Sequence, residues 1–188
     1  MHCLDGSGFS PTLPTAFTGA RTGGRALVKK GTKCRRVNVL GALSTAGPDP
    51  ELVWTAVTHK IDAVMVLDFV RTRIARLPGG GERLAEPPPG QKRTRPCTIV
   101  IDNTQIHHAK LFEERREELE AIGVHLFSLP PRSPELNRIE RLWRSVAYEV
   151  MPVRAYTTLD TLHTAVEQAM AGRATALPPT TTGIPKTA

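Results

Sequence analysis

Residues 98–143 read TIVIDNTQIHHAKLFEERREELEAIGVHLFSLPPRSPELNRIERLW, and their changing period sets the fold class. Residues 98–101 are a short unbroken apolar run, the pattern of a strand buried on both faces, and the run ends at Asp102. Over residues 109–122 the period becomes helical: Leu111, Phe112, Leu119 and Ile122 share one face opposite a dense Glu/Arg face, and Gly123 is placed to end the helix. Residues 124–129 form a further strand, closed by Pro130 and Pro131. Ser133 then caps a helix expected from about Pro134 to Val150, with proline in its first turn. Strand, helix, strand, helix in this order describes crossover units on a sheet.

Upstream, residues 2–10 (HCLDGSGFS) begin as a short strand, residues 37–43 (VNVLGAL) as a strong one and residues 51–57 as a weaker one. Ala63, Val66, Leu67, Val70, Ile74 and Leu77 recur at steps of three and four, so residues 61–77 are expected to be helical. Residues 78–96 (PGGGERLAEPPPGQKRTRP) cannot be a helix or an inner strand and read as a long loop inside the domain. Residues 158–170 suggest a last amphipathic helix, and the Thr/Pro/Ala-rich tail from Gly172 is expected to be disordered. The expectation is an α/β fold in one domain over residues 1–171, followed by a tail over 172–188: a meander of strands, then crossover units.

The bulk composition narrows the class. The chain has 188 residues, 40% of them hydrophobic, which is enough for a core, and no apolar run approaches the roughly 18 to 20 residues a membrane span needs. Cys3, Cys34 and Cys97 lie far apart outside any CxxC pattern, which argues against a disulfide framework or a zinc site and fits a reducing cytoplasm. Charge is unevenly placed. Between Gly6 and Pro48 there is no acidic residue, while Arg21, Arg25, Lys29, Lys30, Lys33, Arg35 and Arg36 supply the whole net charge of +7; the rest of the chain balances at 18 basic against 18 acidic. A basic stretch on a neutral domain suits contact with a phosphate backbone, although a solvated hairpin without a partner has the same composition.

Three carboxylates stand out. Asp102 lies at the carboxyl end of a buried strand, the edge where α/β sheets bind ligands, though an Asp there also commonly caps a loop. Asp5 lies in a strand-like segment, and its plain alternative is an Asp-Gly turn. Glu140 is more telling. On a wheel advancing about 100° per residue from Leu136, residues Ile139, Trp143, Val146, Ala147 and Val150 fall between roughly 280° and 20°, Glu140 near about 40° and Arg141 near about 140°. Glu140 therefore points toward the body of the protein, where an unpaired carboxylate is costly; its partner is either Arg144, one turn on, or a cation shared with the sheet acids. Converging carboxylates repel unless a cation holds them, and oxygen-only ligation selects Mg²⁺ or Mn²⁺. Two such ions about 4 Å apart activate a water or 3′-hydroxyl and stabilise the departing oxygen of a phosphodiester.

The same segments carry a resemblance. TIVIDNTQIHHAK, a charged helix, a strand and PPRSPELNRIERLW resemble the bacterial insertion-sequence transposases related to the mariner group, members of the DDE superfamily. The matching residues are Asp102, Asn103, His107, Leu129, Pro130, Pro131, Ser133, Pro134, Leu136, Asn137, Ile139, Glu140 and Trp143, and LDGSGFS and RRVNVLGALS are similar to the family's first two strands. The resemblance covers about residues 3–165 and implies a ribonuclease H-like fold, a mixed central sheet flanked by helices. It implies that Asp5, Asp102 and Glu140 are the catalytic, metal-holding triad, with two Mg²⁺ or Mn²⁺ ions. It implies DNA partners (transposon ends and target), a homodimer in the active complex, and a bacterial, nucleoid-associated location. His107, Arg132 and Arg138 join the basic stretch as candidate DNA contacts, while Trp143 reads as core. His107 and His108 as a transition-metal pair lack a further ligand at suitable spacing.

The chain departs from the family where Gly6 replaces the usual Glu, Arg132 the usual Tyr and Arg138 the usual Pro. Family members carry helix-turn-helix modules ahead of the catalytic domain; Met1 stands four residues before Asp5, so the expectation is either a module encoded in a separate reading frame or an element that has decayed. Three readings follow: a metal-dependent transposase core that cleaves and joins DNA strands, an inactive remnant that only binds DNA, and, less favoured, a stand-alone ribonuclease H-like nuclease.

Overall fold

The computed structural model describes residues 1–11, 36–44, 50–76, 95–102, 112, 114–131 and 133–177. All five expected strands form: β1 (His2–Phe9), β2 (Val37–Ser44), β3 (Glu51–Val57), β4 (Cys97–Ile101) and β5 (Val124–Ser128). They make one mixed sheet in the order β3-β2-β1-β4-β5. β1 pairs antiparallel with β2 along its whole length, from His2↔Ser44 to Phe9↔Val37, and β2 pairs antiparallel with β3. β4 runs parallel to β1, and β5 parallel to β4. The meander followed by crossovers is therefore present in the order the residue pattern suggests.

The β1–β4 pairing is short. It holds only at His2↔Ile99 and Cys3↔Val100, after which the two strands separate. Ligand sites in α/β sheets form where neighbouring strands part at their carboxyl ends, and this seam is such a place.

Helices cover both faces. α1 (Ala63–Phe69) is capped by Asp62, whose Oδ1 accepts from the Met65 amide at 2.8 Å, and it widens into a π-helical stretch, Val70–Ile74. With α2 (Arg116–Ala121) it covers one face, where Leu4, Leu40, Ile99, Ile101 and Val124 pack against Val66, Leu67, Val70, Ile74, Leu119 and Ile122. Gly123 follows α2 with φ 84, a conformation that favours glycine, as its expected place at the helix end required. The other face carries α3 (Ile139–Ser145) and α4 (Leu159–Thr175): Cys3, Val37, Val39, Leu43 and Val100 meet Ile139, Trp143, Val146, Leu162, Val166 and Met170. β1 and β4 feed alternate residues to the two cores, so both are packed on both faces, as the apolar run of β4 implies.

Three sequence expectations need correction. The helix expected from Pro134 under a Ser133 cap is two pieces. Pro134–Leu136 is a 3₁₀ turn, Ser133 makes no side-chain cap, Asn137 is extended (φ −89, ψ 105), and α3 starts only at Ile139. Leu136, placed on the apolar stripe by the wheel, consequently stands 54% exposed. Further along, α3 widens into a π stretch, Val146–Val150, which shifts the phase: Val150 turns out and Met151 is buried instead. Finally, α4 runs past Gly172 to Thr175, beyond the expected start of the tail; its N-terminus is held by a reciprocal Thr158–Thr161 capping box. The 78–94 part of the proline/glycine loop lies outside the described residues, as does the tail from residue 178.

Candidate active site

The β1–β4 register ends at Cys3↔Val100, and Asp5 and Asp102 each follow it by two residues where the strands part. Side chains two apart on a strand share a face. Cys3 and Val100 face the α3 side, so Asp5 and Asp102 do as well. The Ile101 carbonyl accepts from the Leu129 amide at 2.8 Å, which holds the end of β4 firmly up to Asp102.

α3 closes over this seam at its first turn. The buried Asn137 donates from Nδ2 to the Leu4 carbonyl at 3.1 Å, an acceptor left available because β1 and β4 have parted. The Asn137 carbonyl in turn accepts from the Glu140 amide at 3.1 Å. One residue thus ties the start of α3 to the backbone next to Asp5 and sets where Glu140 begins. Three residues beyond Glu140, the Trp143 indole Nε1 donates to Asp5 Oδ2 at 3.0 Å; the other oxygen, Oδ1, accepts from the Gly6 amide at 2.7 Å.

The electrostatics of Asp5 register both of the other acids. The Asp5 carboxyl is pushed from 3.8 up to about 7. Burial is the largest cause and the charge of Glu140 the next; the Gly6 amide opposes them, Asp102 raises it further, and the Trp143 indole lowers it. Among the described residues Glu140 makes no ion pair, so the alternative partner Arg144 does not hold it. Asp5, Asp102 and Glu140 are therefore brought to one seam from two strand ends and a helix, and their mutual repulsion is uncompensated by any protein cation on Glu140.

An oxygen-only set in mutual repulsion suits a hard divalent cation. Among the described residues, no group of three His, Cys, Asp or Glu side chains stands close enough together to hold an ion as it is. Each Asp5 oxygen is engaged by a single donor and retains a further lone pair, so its hydrogen bonds orient the group without blocking it.

Gly41 completes the site and carried no weight in the sequence reading. It pairs with Asp5 across the β1–β2 ladder. A Cβ there would lie 2.7 Å from Trp143 Cη2, 3.1 Å from Cζ2 and 3.3 Å from Ile139 Cδ1, so α3 can approach this closely only over a glycine. A glycine inside the apolar strand VNVLGALS is a signal of such an approach. For Trp143 the signal was its indole N–H, which needs a partner when buried. Gly6, by contrast, is exposed and a Cβ there meets nothing nearer than 3.8 Å, so the place where the family usually has Glu is open to a side chain.

Of the candidate DNA contacts, Arg21, Arg25, Lys29, Lys30, Lys33, Arg35, His107 and Arg132 lie outside the described residues. Arg36 and Arg138 are exposed. Arg36 lies beside Gly8, three residues beyond Asp5 on β1, and Arg138 immediately precedes α3.

A family model described as DDE superfamily endonuclease matches residues 1–163. The chain belongs to the DDE superfamily endonucleases. Members of this family generally use divalent metal ions. No curated protein matches the sequence. Among solved structures, the Mos1 transposase paired-end complex with left transposon end is similar at 12% identity over 95% of this chain and 48% of that one, with a TM-score of 0.53. At that identity the likeness is one of fold, and it is the expected ribonuclease H-like one: a mixed five-stranded sheet flanked by helices. The intasome of simian T-cell lymphotropic virus is similar at 11% identity over 72% of this chain and 41% of that one, with a TM-score of 0.47. The chain spans about half the length of the Mos1 transposase chain it matches, 48%. Among the described residues no helix is long and apolar enough to cross a membrane.

Proposed function

We propose that this DDE endonuclease domain is the catalytic core of a transposase related to the mariner-like bacterial insertion-sequence enzymes, with Asp5, Asp102 and Glu140 as its triad. The observation that carries the reading is the Asp5 carboxyl, buried at the β1–β4 seam and raised by the charges of both Glu140 and Asp102. The three carboxylates would hold Mg²⁺ or Mn²⁺, as two ions in the family manner. When bound, such ions supply the activation of an attacking oxygen and the stabilisation of a departing one at a phosphodiester. The chain's own residues do the rest. Asn137 and Trp143 set the acids' positions, and the buried floor of the seam keeps bulk water from the inner face of Asp5. Arg36, Arg138 and the basic stretch over residues 21–36 suit the backbone of transposon-end and target DNA.

The fuller setting belongs to the same proposal: a homodimer on paired DNA ends, a separately encoded helix-turn-helix module, and a cytoplasmic, nucleoid-associated location. The test is a cleavage and strand-transfer assay on element-end DNA with the DNA-binding module supplied in trans. A product that needs Mg²⁺ or Mn²⁺ and disappears in Asp102→Asn is expected; no metal-dependent product, or one indifferent to that change, overturns the reading. A second reading is a catalytically inactive remnant that only binds DNA through the basic stretch over residues 21–36. It predicts salt-sensitive DNA binding with no Mn²⁺ uptake that depends on Glu140, so titrating Mn²⁺ into the wild type and Glu140→Gln separates the two.

A further inference from the structure

We infer that Trp143 is a positioning residue for Asp5, its indole seated in a notch that Gly41 leaves in β2 and its N–H fixing the direction of the carboxylate. The inference rests on Asp5 being a site acid, as proposed above, and goes beyond it to the residue that aims that acid.

A buried indole N–H needs an acceptor, and a backbone carbonyl would satisfy it. Here the acceptor is Asp5 Oδ2, 3.0 Å away and 138 residues distant in sequence. The contact depends on how deeply the helix seats. Gly41 is the register partner of Asp5, so the missing side chain lies directly beside the acid. The rim of the indole occupies the place a Cβ would take, at 2.7 Å from Cη2. Trp143 also lies three positions after Glu140, on the same side of α3. One rigid seat therefore governs both the direction of Asp5 and the approach of Glu140. With Oδ1 held by the Gly6 amide, the carboxylate is gripped at both oxygens, and each keeps a lone pair for a further partner. Groups that orient a metal-binding carboxylate from behind commonly change metal affinity or activity by about 10- to 100-fold when removed.

The test uses the full chain and Mn²⁺ as probe. Trp143→Phe fills most of the same space without the donor. It is expected to unfold in a single cooperative transition and to bind Mn²⁺ about 10- to 100-fold more weakly than the wild type. Binding within twofold of wild type overturns the inference and leaves the triad standing. Wild-type Mn²⁺ binding that is unaffected by Asp102→Asn overturns the triad, and this inference with it. Should Trp143→Phe fail to fold, a fluorescence measurement decides. The chain has two tryptophans, so Trp54→Phe leaves Trp143 as sole emitter. Paramagnetic Mn²⁺ held by Asp5 is expected to quench that emission, and Asp102→Asn in the same background to abolish the quenching. Emission indifferent to Mn²⁺, in a chain that takes up the ion, overturns the inference.

Discussion

Asp5 is an acid whose native value, about 7, lies well above its ordinary 3.8, because it is buried and faces Glu140 and Asp102. Such a group takes up a proton on folding, so its contribution to stability is fully present below about pH 4 and is lost as pH rises through about 7. The metal-free domain is therefore expected to lose stability between about pH 4 and pH 7, and Asp5→Asn to remove much of that loss. The difference at pH 8 is of the order of a few kcal/mol, read from urea midpoints across pH. Asn melting at the same midpoint as Asp at both pH values would show that the site acids do not strain the fold. The two glycines flanking this acid should respond oppositely to a methyl group. Gly41→Ala drives a Cβ into the Trp143 ring and is expected to cost about 1–3 kcal/mol. Gly6→Ala has room and is expected to gain about 0.4–1 kcal/mol by restricting the unfolded chain. Thermal melts of the pair check both signs.

At the scale of elements, the decisive junction is the break between the Pro134–Leu136 turn and α3. A residue pattern with proline in the first turn reads as one continuous helix, because periodicity sums over neighbours and does not register a single extended residue. What breaks it is a long-range bond: Asn137 leaves helical geometry to reach the Leu4 carbonyl on β1. Asn137→Ala strands that carbonyl in a buried place and is expected to cost about 1–3 kcal/mol in urea unfolding. It should also weaken Mn²⁺ binding, since Glu140 hangs from the same turn. A stability loss with Mn²⁺ affinity unchanged would show that the tie serves the fold alone. The π-helical ends of α1 and α3 were likewise not legible in the residue pattern, because an i→i+5 turn differs from an α turn by one residue of phase.

For the whole molecule, the charge distribution is the property the chain presents to a partner. The net +7 resides in residues 21–36, and Arg36, the described member of that stretch, lies beside Gly8 near the carboxyl end of β1. If the stretch follows DNA backbone, log K should fall linearly with log salt, and Arg36→Ala should reduce the slope by about 1 while weakening binding to all sequences alike. A slope unchanged by that substitution would remove Arg36 from the contact surface. In the proposed function charge steers the encounter while the seam acids hold the ion, so Arg36→Ala should leave Mn²⁺ affinity untouched.

Much of this protein is determined by its sequence alone. The apolar runs and their periods placed all five strands, and the acid after residues 98–101 and the acid on the inward edge of the last motif helix marked the candidate site. These are local properties: alternation, helical period and glycine at a helix end act over a few residues, so they can be read without knowing what packs where. Tertiary structure decided what depends on approach. The short β1–β4 pairing opens the seam, Asn137 spans it, and the glycine at 41 lets Trp143 reach Asp5. Each is a contact between segments far apart in the chain, whose energy depends on distances of a few ångströms that no local pattern encodes.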